Sequence, residues 1–174
     1  VGGRRGGRVG ALWLLVLGAP WGAKYSYDTA PEARNATLSL QAGIVLLRDA
    51  VSSTLINAAD SMELREGDEV LVGQGARASI VLFDGTRVQL HSGSELALKQ
   101  LRQSRFHTGV NLALVRLTAG TARFDVIEPS TDESRTVVET PHGSALLGKG
   151  NYGLEVTQSQ TRFSSRAGSA FISS

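Results

Sequence analysis

The chain has 174 residues, no cysteine, 20 glycines and 4 prolines, with 41% apolar and 20% charged residues. This suits a domain with a hydrophobic core and excludes the disordered, collagen-like and disulfide-stapled classes. It also excludes Cys-ligated zinc, iron–sulfur clusters and thiol nucleophiles. The formal net charge of +2 becomes −1 once Arg4, Arg5 and Arg8 are set aside, so the body of the chain gives no reason to expect nucleic acid binding.

Residues 1–8 are basic and glycine-rich, and residues 9–23 (VGALWLLVLGAPWGA) carry no charge. A positive stretch before an apolar one is the layout of a secretory signal or a signal anchor. As a helix the apolar run reaches about 22 Å, short of the ~30 Å hydrocarbon core. No Ala-x-Ala cleavage pattern occurs in this region, and Trp13, Trp21, Tyr25 and Tyr27 suit interfacial anchoring. The expectation is an N-terminal hydrophobic helix that tethers the chain to the membrane through residues 9–23. Cleavage of this segment, giving a secreted form, is the alternative. The preceding arginines place the remainder outside the cytoplasm, in the periplasm or on the cell surface. Residues 24–37 are polar, without periodicity, and read as a linker.

From residue 38 onward, glycines punctuate short runs rich in Val, Leu, Thr and Phe. About twelve runs read as strands: 39–47, 69–73, 76–83, 86–91, 95–99, 110–117, 120–127, 135–139, 143–148, 152–157, 161–165 and 169–173. Short strands at such spacing predict an all-β, antiparallel domain over 38–174, a sandwich or a short solenoid-like prism. Residues 50–64 are short of pattern and serine-rich, and read as a loop.

The best local signal is Ser79–Leu90, where Asp84-Gly85 separates two alternating runs. A two-residue turn would oppose Ile80 to Gln89 and mix polar with apolar side chains on each face. A three-residue loop of Phe83, Asp84 and Gly85 pairs Ala78 with Leu90 and Ile80 with Val88. This register makes one face apolar and predicts exposure of Ser79, Arg87, Gln89 and His91. Asp84 and Gly85 are then a structural turn, with Gly85 in the left-handed region.

No residue qualifies as catalytic, and neither a cofactor nor a metal is expected. His91, His107 and His142 lack metal-ligand spacing, no Gly-x-Ser-x-Gly elbow occurs, and Gly148–Gly153 is no phosphate loop. Arg87, Gln89 and His91, with the basic loop residues Arg102, Arg105 and Phe106, form the candidate interaction surface. Its expected ligand is a protein or a cell-envelope polymer, reached by strand edges and loops, strand addition included.

The motif order resembles the FecR family, the extracytoplasmic domain of ferric-citrate-type regulators. The carriers are Leu64-Arg65-Glu66-Gly67-Asp68, Val70–Gly73, and Ala76-Arg77-Ala78 leading into Leu82–Thr86. Val88–Leu90, Glu95-Leu96, Leu117–Gly120, Val138–Pro141 and Ala167-Gly168 follow in order. The resemblance covers roughly 38–173 and implies signal perception or regulation. Family members usually carry a Gly-Thr-x-Phe strand where this chain reads Gly148–Gly153. They also place a cytoplasmic anti-sigma segment before the membrane span. Eight residues precede the apolar run here, so the expected protein is a tethered module lacking that region. A structural or carbohydrate-binding envelope protein is the alternative.

Overall fold

The computed structural model describes residues 31–104, 110–127 and 131–173. The expected hydrophobic helix over 9–23 lies outside these residues. Among the described residues there are only strands, and no helix long and apolar enough to cross a membrane.

The strands are β1 (Pro31–Ala33), β2 (Ala36–Ala42), β3 (Val45–Arg48), β4 (Leu55–Asn57), β5 (Met62–Leu64), β6 (Glu69–Val72) and β7 (Arg77–Val81). They continue with β8 (Arg87–Leu90), β9 (Glu95–Ser104), β10 (Asn111–Val126), β11 (Arg135–Thr140), β12 (Gly143–Val156) and β13 (Thr161–Ser173). All thirteen belong to one sheet, which curls into a half-barrel. The all-β class is as expected, but one curled sheet replaces the sandwich or prism. Every pairing is antiparallel except that of β10 with β11.

Two corners curl the sheet. The first half of β10 lies between β9 and β11, whereas its second half lies between β12 and β8. β12 likewise leaves β11 after Leu147 and joins β10 from Gly150. Both turns show as a break in side-chain parity. In β10 the buried positions are Ala113, Val115 and Leu117, then Ala122, Phe124 and Val126. In β12 they are Ala145 and Leu147, then Tyr152, Leu154 and Val156. A bulge adds one residue, so the apolar face stays inward while the strand bends. Gly120 makes the β10 corner, with φ +84 and a backbone approach that a Cβ would bring to 2.5 Å from the Ser94 Cα.

These corners join the runs 110–117 and 120–127 into β10 and the runs 143–148 and 152–157 into β12; 161–165 and 169–173 are likewise one strand, whereas 39–47 divides between β2 and β3. The stretch 50–64, read as a loop, contains β4 and β5. Each has three residues, too few to show alternation, yet β5 places Leu64 fully in the core. The predicted linker also shortens, because β1 pairs with the end of β9 and β2 starts at Ala36.

The Leu64–Asp68 motif is a clasp. Asp68 is buried, and its carboxylate accepts from the backbone N–H of Ala50 (3.0 Å) and of Arg65 (2.8 Å). Glu66 accepts from the Leu101 N–H (3.1 Å) and the Arg102 Nε (2.8 Å). Gly67 donates to the Leu98 carbonyl. The motif thus fastens the 49–52 loop and β9 to one turn.

Candidate interaction surface

The Asp84-Gly85 turn has the bulged geometry. Ala78 opposes Leu90 and Ile80 opposes Val88. The Leu82 N–H donates to Thr86 O and the Gly85 N–H to Leu82 O. Asp84 Oδ1 accepts from the Thr86 N–H at 2.9 Å, and Gly85 has φ +87.

The hairpin is not an edge, however. β7 is flanked by β2, and β8 by β10, so its backbone groups are engaged on both sides. Ser79, expected to be exposed, is buried between Ser39 and Gln89 on the flanking strands. His91 is half-buried, and its Nε2 has no hydrogen-bond partner among the described residues. Burial, then Arg123, then Arg77 lower its pKa from the ordinary 6.5.

The other candidate residues do not join this group. Arg102 forms a two-point ion pair with Glu66, its closest contact being 2.6 Å. It opposes Leu112, whereas Gln89 opposes Arg123, so the two lie about 36 Å apart along β10. Arg105 and Phe106 lie outside the described residues. Only Arg87, Gln89 and His91 share a surface.

That surface is the polar face of the second half of the sheet. Across it Gln89, Arg123, Gly153 and Ser164 form one row. Arg87, Asp125, Asn151 and Ala167 form the next. β13 carries one extra residue between Ser165 and Ala167 opposite Tyr152-Asn151. This bulge residue is Arg166, and bulges commonly re-aim a side chain. Arg166 accordingly lines a cleft of about 440 Å³ with Gln89, Arg123, Asp125, Asn151 and Gly153. Gly153 keeps the floor open, since a Cβ there would lie 2.7 Å from Ser164 Oγ. Asn151 Nδ2 donates to Asp125 at 3.3 Å. Among the described residues, neither Arg123 nor Arg166 has a carboxylate within ion-pair distance.

Sequence reasoning missed Arg123, Asn151, Gly153, Ser164 and Arg166 because three strands contribute them and only the pairing unites them. Their one local signal is the polar alternation Arg162, Ser164, Arg166.

Among the described residues β13 is the longest of the edge strands: it pairs with β12 alone and runs for 13 residues. Near its end Phe171 is 81% exposed and Ile172 62%. Phe163, at the other end, packs on Tyr152 with ring centroids 5.7 Å apart. The Tyr152 hydroxyl donates to the Ser169 carbonyl at 2.8 Å, and burial raises its pKa. Among the described residues no three His, Asp or Glu side chains group as metal ligands.

A curled antiparallel sheet with an open edge and a polar cleft has the makings of a recognition domain. The family model of the FecR protein matches residues 68–171, and the chain belongs to the FecR family. No curated protein matches. Two crystal structures of a candidate anti-sigma factor from Parabacteroides distasonis are similar. One is 23% identical with a TM-score of 0.47, the other 22% identical with a TM-score of 0.48. Each match covers 60% of this chain and 46% of the other, so this chain aligns with less than half of that protein.

Proposed function

We propose that this chain is the extracytoplasmic recognition module of a FecR-type regulator, tethered to the membrane through residues 9–23. Its role is signal perception, by binding a protein partner, and it carries no catalytic activity. The supporting observation is β13, a long strand paired on one side only, with apolar side chains exposed near its end. An unpaired strand edge offers a row of N–H and C=O groups to an incoming strand. The strand-addition mode expected for the hairpin therefore moves to β13.

The test is capture from envelope extract by the full chain, beside the Phe171→Lys/Ile172→Lys variant. Both side chains are exposed, and lysine on an edge strand opposes pairing. The expected result is one signal-transduction protein held by the parent and lost by the variant. Capture of polysaccharide alone would overturn the reading in favour of a glycan-binding or structural envelope protein.

A further inference from the structure

We propose that the cleft over Gly153 is a carboxylate-binding site, taking an acidic segment of the protein partner. The inference deepens the reading above and rests on it for the partner's class. The chemistry of the site has its own support.

Three features converge on an anion. Arg123 and Arg166 reach the cleft from β10 and β13 with no carboxylate within ion-pair distance among the described residues. Unpaired guanidinium groups are the natural partners of planar oxyanions. Gln89 and Asn151 add side-chain amides at the walls, and an amide NH2 is a donor. The space itself is built. Gly153 leaves the floor bare, and the β13 bulge sets Arg166 beside Ala167 on the lining. Burial first, and then the positive charges of Arg123 and Arg77, lower the pKa of His91 on the same face.

The charge on this face favours an anion. Asp125 lines the cleft but stands opposite Arg87 on β8, so with Arg123 and Arg166 the face stays net positive. A carboxylate side chain of a protein partner supplies the planar oxyanion that the two guanidinium groups fit. The cleft also borders the outer face of β13. A strand added to β13 would extend the rows that end at Ser164 and Ala167, bringing its acidic side chains beside Arg166.

The probe is an acetylated hexaglutamate peptide, titrated into the full chain at low ionic strength and followed by calorimetry and by the His91 ring resonances. The expected result is saturable binding with a rise in the His91 pKa, because the anion neutralises part of the field. Binding should weaken at least tenfold in Arg123→Gln/Arg166→Gln. It should be unchanged in Arg116→Gln, whose arginine pairs with Glu139 at 2.6 Å. No saturable binding, or a double variant within twofold of the parent, would overturn the site. Tighter binding of inorganic phosphate than of the peptide would overturn the carboxylate assignment. Peptide binding alongside failed partner capture would sink the partner reading and leave the site standing. Partner capture indifferent to both arginines would do the reverse.

Discussion

Replacing Asp68 by alanine tests whether the Leu64–Asp68 motif is a structural clasp. The carboxylate is 4% exposed and holds the Ala50 and Arg65 N–H groups at 3.0 and 2.8 Å. Truncation leaves both donors without an acceptor. An unmade bond of this kind costs about 1–3 kcal/mol. Both sit in partly covered loops where water can reach them in the relaxed variant, so the expected loss is about 3 kcal/mol in total. For a domain of this size that corresponds to a melting temperature lower by roughly 6–12 °C. Asp68→Asn keeps one acceptor oxygen and should lose about half as much. Urea unfolding followed by circular dichroism gives the free energy, and an unchanged m-value shows that the same surface unfolds. A loss below about 1 kcal/mol for Asp68→Ala would refute the clasp, since one such bond alone should exceed it.

Gly120→Ala forces a Cβ to 2.5 Å from the Ser94 Cα at φ +84. It should cost more than about 3 kcal/mol or abolish soluble expression. Gly75→Ala, at φ +72 with open space around it, should cost only about 1 kcal/mol, so the pair separates crowding from backbone strain. His91 has a pKa depressed below 6.5 by burial, Arg123 and Arg77, so the unfolded chain binds more protons as the pH falls from 6.5 through the folded value. Stability should therefore be full above that window and decline on acidification through it, with His91→Gln flattening the slope below pH 6.5. Tyr152→Phe removes the hydroxyl bonded to the Ser169 carbonyl. It should lower unfolding stability by about 1 kcal/mol and speed amide exchange in β13.

Much of the fold was legible where alternation is strict. Ile80, Val88 and Leu90 share one parity with Ala78, and that parity selected the bulged turn over the tighter one. Alternation miscounts the strands where a bulge resets side-chain parity. The odd run ending at Leu117 and the even run beginning at Ala122 look like two strands, although the backbone pairs continuously through Gly120. Strands of three residues such as β4 and β5 carry no periodic signal. The interaction surface was the least legible part. Arg102 reads as a free basic residue until Glu66, distant in sequence, closes on it. Arg123 and Arg166 stand 43 residues apart, and only the pairing of β10 with β12 and of β12 with β13 brings them to one cleft.

The most direct test of recognition through the open edge is amide hydrogen exchange across β13, with and without the captured partner. The account predicts new protection concentrated in residues 161–173, on backbone groups that β12 leaves free. Unchanged exchange there in a partner-saturated sample, with protection elsewhere, would contradict it.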